Sequence, residues 1–193
     1  MGEPILWALI GYGLGSIPFG LLLTRTIGID IRTVGSGNIG TTNVLRTGNK
    51  GLAAATLLLD AGKGAAAVLL GRHFGGEAAG IAAGCAAFAG HCFPVWLRFR
   101  GGKGVATLLG IALAAVPLAG FAALAAWAAA AGLSRYSSVG GMASALVAVA
   151  ACWAIGDDRW TQALAMLAVI LIVKHRENIA RLRAGTEGRI LNT

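Results

Sequence analysis

The sequence predicts an all-α, polytopic integral membrane protein of about seven transmembrane helices, with the N-terminus outside and the C-terminus cytoplasmic. Three observations carry that expectation. Of 193 residues, 56% are hydrophobic and only 12% charged, with a mean hydropathy of +0.74. Globular domains carry about 25% charged residues, and one core cannot hide this much apolar surface, so lipid must solvate most of it. Apolar runs approach the roughly 20 residues that cross a bilayer core. Basic residues concentrate in alternate connections. By length the chain makes one domain, a single transmembrane unit over residues 1–193.

Taken in order, the runs are 5–23, 51–71, 77–97, 104–133, 139–155 and 161–173. The first is preceded by Glu3 rather than a basic segment, which argues against a signal peptide. Residues 24–50 carry Arg25, Arg32, Arg46 and Lys50 against Asp30, residues 98–103 carry Arg98, Arg100 and Lys103, and the tail from Lys174 is basic. The positive-inside rule places these three in the cytoplasm and the turns at 71–76 and 156–159 outside. An odd number of crossings must then separate Lys103 from Asp157. The run 104–133 satisfies that parity as a hairpin bent at Pro117, because proline cannot continue the helical hydrogen-bond ladder. Each arm would have about 14 residues, short for a span.

Alanine and glycine dominate these runs, and close packing of small residues holds helices together in lipid. Cys85, Cys92 and Cys152 have no metal-ligand or redox spacing and read as small core residues. The cytoplasmic connections are different in kind. Residues 35–46 read GSGNIGTTNVLR. Gly35-x-Gly37-x-x-Gly40 matches the dinucleotide fingerprint, but that motif requires a strand and a βαβ unit around it. Apolar helical flanks cannot supply one. Glycines here allow backbone N–H groups to turn toward an anion, Ser36, Asn38, Thr42 and Asn43 add neutral donors, and Arg46 adds a bidentate cation.

The second cluster, RFRGGKGVAT (residues 98–107), places Gly101, Gly102, Lys103 and Gly104 at the start of a predicted helix, where N–H groups and dipole favour an anion. It lacks the spacing of a Walker A loop. The third, residues 174–187, sets His175, Asn178 and Leu182 on one face of a helix leaving the membrane. Arginines anchoring to lipid headgroups would explain part of this segment. Converging at one membrane face, the glycine loops, Arg46, Lys103 and His175 describe a pocket for two anionic groups or one highly charged one. An anion transporter is the rival reading, although its site should lie near the midplane between repeats, and no internal repeat is visible. The net charge of +8 suits anionic lipid and substrates. With the basic residues split among short loops, it gives no support to nucleic-acid binding.

At these motifs the chain resembles the bacterial acyl-phosphate:glycerol-3-phosphate acyltransferases, the PlsY family. GSGNIGTTNVLR resembles the family's first motif, with Thr41 where alanine is common. Gly90-His91-x-Phe93-Pro94 with Phe99-x-Gly101-Gly102-Lys103-Gly104-Val105-Ala106-Thr107 resembles the second, and His175-Arg176-x-Asn178 through Glu187 the third. Asp60-x-x-Lys63-Gly64 and Arg135-Tyr136-x-Ser138 fit as well; Gly140-Gly141 departs where a second serine is expected. The resemblance implies transfer of an acyl group from a long-chain acyl phosphate to the 1-hydroxyl of sn-glycerol 3-phosphate, with membrane lipid as surroundings and no obligatory protein partner.

It further implies that Arg46 and Lys103 grip phosphate, with Ser36, Asn38, Thr42, Asn43 and the N–H groups of Gly35, Gly37, Gly101, Gly102 and Gly104 completing the cradle. Ser138 belongs to the same set. His175 and Asn178 would meet glycerol 3-phosphate; either His175 is the general base, or a donor phosphate oxygen takes the proton and His175 only binds. Glu187 and Asp60 would be structural ties to basic neighbours. No histidine is followed at the fifth position by aspartate: Ala78, Trp96 and Ala180 stand there. No cofactor and no metal are expected.

Overall fold

The computed structural model describes residues 3–190, and all regular structure among them is helical. Alanine and leucine, strong helix formers, fill the elements: α1 (Glu3–Gly15), α2 (Phe19–Arg25), α3 (Thr41–Leu45), α4 (Lys50–Cys92), α5 (Val105–Ala115), α6 (Pro117–Ser134), α7 (Ser137–Ile155), α8 (Asp158–Lys174) and α9 (Arg176–Arg183). Prolines and glycines decide where they break. Pro18 breaks the helix inside the first apolar run into α1 and α2, while Glu3–Arg25 as a whole keeps the length and apolarity of one span. The missing proline N–H cannot continue the ladder, and at the break the Ile17 carbonyl accepts from Phe19 N–H at 3.1 Å and from Lys63 Nζ at 2.8 Å.

The element α4 is 43 residues long only in name, because Gly76 interrupts it with φ 79° and ψ −175°. That conformation suits glycine alone, and the chain reverses there: a Cβ on Gly71 would lie 2.7 Å from Ala79 O. The predicted spans 51–71 and 77–97 are its two arms, 50–75 and 77–92. The second stops at Cys92, earlier than expected, because Pro94 drives Phe93 out of the helical region. The hairpin at Pro117 is present. Val116, before the proline, is non-helical (φ −136°, ψ 88°), and a Cβ on Gly120 would lie 2.5 Å from Leu113 Cα. Its arms are unequal, 11 and 18 residues, because α5 begins only after Gly104.

Four helical segments are long and apolar enough to cross a membrane: Glu3–Arg25, Lys50–Leu97, Pro117–Ser134 and Ser137–Ile155. Ile5, Leu9, Leu58, Leu133 and Trp153 are among many large apolar side chains left exposed, far beyond what a water-soluble monomer presents. The fold is that of a multi-span membrane protein. Inside, Phe88, Leu108, Ile111, Trp160, Leu164, Leu167 and Leu171 form the main core.

The two ends of the bundle differ. At one, Arg72 donates to the carbonyls of Ala114 (3.2 Å) and Ala115 (3.0 Å) and pairs with Glu77 (2.8 Å), tying the α4 reversal to the α5–α6 break. At the other, the three motif-bearing connections meet.

Candidate active site

Asn43 organises the first loop. Its amide NH2 faces the carbonyls of Ile31 (3.1 Å), Val34 (2.9 Å) and Asn38 (2.9 Å), and its Oδ1 accepts from Ser36 N–H at 3.1 Å. An asparagine so saturated shapes the loop around a ligand and has little left to offer one directly. Asn38 Oδ1 accepts from Gly40 N–H at 2.9 Å. Thr42 and Ser137 hydroxyls lie 2.7 Å apart, joining this loop to the start of α7. Arg46 follows α3 and folds back over Gly35, where a Cβ would lie 2.9 Å from Arg46 Cδ. Its Nη2 reaches Gly188, so the C-terminal segment lies against the same guanidinium.

In the second loop, Gly101 N–H donates to Cys92 O at 3.2 Å and Gly102 N–H to His91 O at 3.0 Å. Those two amides are committed to the end of α4 and face away from donor duty toward an anion. What the glycines provide is approach: a Cβ on Gly104 would lie 2.3 Å from the Phe88 ring. Lys103, set between them, sends Nζ to Asn178 Oδ1 on α9. Burial, reinforced by Arg181 and Arg46, pulls the Lys103 ammonium down to about 8, against the opposing pull of Glu187 and Glu177.

His175 ends α8 and is buried. Its Nδ1 lies 2.8 Å from Leu171 O. A carbonyl only accepts, so Nδ1 carries the hydrogen and Nε2 keeps its lone pair. Burial holds the ring neutral by lowering its pKa to about 4, with Lys103 acting in the same direction and Leu171 and Glu187 opposing. Gly141 lies beside this ring and packs against α5: a Cβ there would lie 2.6 Å from Val105 and in ordinary contact, 3.5 Å, with Nε2.

Glu187 joins the three connections. Its carboxylate accepts from Asn178 Nδ2 (2.5 Å), Ser138 Oγ (2.9 Å) and Arg181 Nε (2.7 Å). Burial works to raise this carboxyl, but those hydrogen bonds outweigh it and hold the group below the usual carboxylate range. The tie expected of Glu187 is thus to Arg181, and it reaches two neutral site residues besides. Ser137 and Arg181 lie within the sequence motifs, but the sequence assigns them no role. Ser137 adjoins Ser138, and Arg181 follows Asn178 by one helical turn, a spacing that places both on one face. Arg46, Lys103 and Arg181 outnumber the carboxylates Glu187 and Glu177 that act on the same site, so the site is positive.

A loop match to the dinucleotide fingerprint therefore lies in an all-helical membrane fold, with no strand among the described residues, at a basic site holding a neutral histidine. Such a combination defines a membrane-embedded enzyme for anionic substrates. The glycerol-3-phosphate acyltransferase family model matches residues 5–185. A glycerol-3-phosphate acyltransferase from Agrobacterium fabrum (strain C58 / ATCC 33970) is 56% identical over 184 residues, covering 95% of this chain and 90% of that one. Two crystal structures of PlsY (YgiH), an integral membrane glycerol 3-phosphate acyltransferase, share the fold. The glycerol 3-phosphate form has a TM-score of 0.93 at 33% identity, covering 97% of this chain and 96% of that one. The lysophosphatidic acid form has a TM-score of 0.91 at 32% identity, covering 97% and 95%. The chain belongs to the glycerol-3-phosphate acyltransferase family.

Proposed function

We propose that this chain acylates the 1-hydroxyl of sn-glycerol 3-phosphate from a long-chain acyl phosphate, releasing 1-acyl-sn-glycerol 3-phosphate and inorganic phosphate. The hydroxyl oxygen forms the new bond to the acyl carbon, and the carbon–oxygen bond to phosphate breaks with its electron pair leaving on phosphate. A mixed anhydride is already activated, so the protein's task is positioning and charge stabilisation. Arg46 and Lys103 hold the phosphates. Ser36, Thr42, Asn38 and the Gly35 N–H complete the cradle, while Asn43, Gly101, Gly102 and Gly37, whose N–H the sequence assigns to the anion but which donates to Val34 O at 2.9 Å, shape the two loops. Ser138 and Asn178 are oriented by Glu187.

The observation that carries this reading is the neutral His175 with its Nε2 lone pair unengaged, in a site whose cations Lys103 and Arg46 come from separate loops. The unengaged Nε2 lone pair supports His175 as acceptor of the hydroxyl proton; a phosphate oxygen of the donor is the equal alternative, with His175 then only binding. The topology that serves this chemistry has seven crossings within one domain, N-terminus outside, and the site facing the cytoplasm of a bacterial inner membrane. Purified protein supplied with palmitoyl phosphate and sn-glycerol 3-phosphate tests the reaction: phosphate and the 1-acyl product must appear together.

A further inference from the structure

Away from the phosphate site, three ionisable side chains are packed together between the arms of α4. Asp60, Lys63 and His91 are 2%, 6% and 4% exposed. Lys63 Nζ donates to Asp60 Oδ1 at 2.6 Å, as well as to Ile17 O. That pairing neutralises both charges and accounts for the lysine. His91 is not so accounted for. Its Nδ1 lies 3.7 Å from Asp60 Oδ1, beyond hydrogen-bond reach, and is buried without a partner. Burying an unpaired polar atom is unfavourable, and a small apolar residue at the close of this helix would avoid that cost.

The other edge of the ring faces the second loop. A Cβ on Gly102 would lie 2.1 Å from His91 Nε2, and the three nearest atoms to that position all belong to the His91 ring. The backbone on either side is fixed to the same helix end, Gly102 N–H to His91 O and Gly101 N–H to Cys92 O. Lys174 Nζ also donates to Cys92 O, at 3.1 Å. The imidazole is thus wedged between the Asp60–Lys63 pair and the residue immediately before Lys103.

We propose that His91, backed by Asp60, is a positioning residue for the acyl transfer: its ring sets how closely the Gly101–Gly102 backbone approaches α4, and so where Lys103 Nζ is delivered. His91 touches neither substrate, and it acts through Gly102. The inference rests on the acyl-transfer reading given above. It explains why Gly102 must lack a side chain although its amide faces away from the anion.

A double-mutant cycle isolates the contact. Wild type, His91→Ala, Gly102→Ala and the double variant are purified in detergent and assayed with palmitoyl phosphate and sn-glycerol 3-phosphate, with thermal midpoints in parallel. A methyl on Gly102 must push the loop off the ring, and a misplacement of about 1 Å costs on the order of 100-fold in rate. Gly102→Ala should therefore lose at least about ten-fold in kcat/KM, and His91→Ala several-fold. Removing the ring makes room for the methyl, so the double variant should exceed Gly102→Ala in activity. If Gly102→Ala does not accumulate, recovery of a folded, active double variant is the same rescue. Losses that simply multiply, a double variant no better than Gly102→Ala, or a silent Gly102→Ala overturn the proposal. Wild-type activity in the same experiment separates that failure from failure of the reaction itself.

Discussion

Burial removes water from Lys103 and His175 alike, and each responds by giving up charge more readily than it would in solution. For Lys103, with its pKa lowered to about 8, the ammonium is intact below pH 8 and is lost as pH rises through it. The free-enzyme profile, kcat/KM, should fall above about pH 8, and Lys103→Arg, whose guanidinium stays charged, should lose that limb at a lower rate. For His175, with its pKa lowered to about 4, the ring is already neutral at pH 5. Any acidic limb then belongs to the substrate phosphate, whose second ionisation falls near a pKa of about 6, and should persist unchanged in the residual activity of His175→Asn. An acidic limb that vanishes in that variant would contradict a neutral His175. The cations Arg46 and Lys103 were legible in the sequence because basic residues flanked by glycine have few structural explanations in a membrane loop. The saturation of Asn43 and the inward-facing Gly101 and Gly102 amides were not legible, since composition cannot tell which donors a loop uses on itself.

Helix contacts in this fold are made by absent side chains. A Cβ on Gly15 would lie 1.9 Å from Ala87 O and one on Gly11 2.2 Å from Ala83 O, whereas nothing lies within 4 Å of the corresponding point on Gly13. Backbone cannot yield as a flexible side chain does. Gly15→Ala should therefore destabilise the protein by about 1–3 kcal/mol or more, as overpacking does. Gly13→Ala should be neutral or stabilising by up to about 1 kcal/mol, because alanine restricts the unfolded chain. Thermal midpoints in detergent distinguish them, and equal effects would contradict the packing of α1 on the second arm of α4. Hydropathy runs located most of these helices, and prolines located the breaks. The bend at Pro117 is legible because the run around it is too long for one span, whereas the break at Pro18 is masked by a run of one-span length with apolar residues on both sides. The reversal at Gly76 lay within the expected turn, but the loss of residues 93–97 from the second arm follows from Pro94, which the run alone obscured.

At the scale of the whole molecule, the gathering of three connections at one end of the bundle converts separate motifs into one site. In the seven-crossing topology proposed above, that end faces the cytoplasm. In a chain with Cys85, Cys92 and Cys152 replaced by alanine, an impermeant thiol reagent should reach Asn38→Cys and Lys103→Cys only from the cytoplasmic side, and Gly156→Cys only from the other. Labelling of residue 38 from both sides, alternating with substrate, would favour a transporter. Membrane character and the convergence of Arg46, Lys103 and His175 could be anticipated from charge distribution. The clasp through Glu187 could not, because it depends on the tail returning across α9 to meet Ser138, 49 residues away. The most direct measurement follows phosphate release and 1-acyl-glycerol 3-phosphate by mass spectrometry in detergent-purified protein. Palmitoyl phosphate and palmitoyl-CoA are offered as alternative donors, and Lys103→Ala is assayed beside the wild type. The account predicts product from the acyl phosphate alone, reduced at least about 100-fold in the folded variant; product from the CoA ester instead, or a fully active Lys103→Ala, would contradict it.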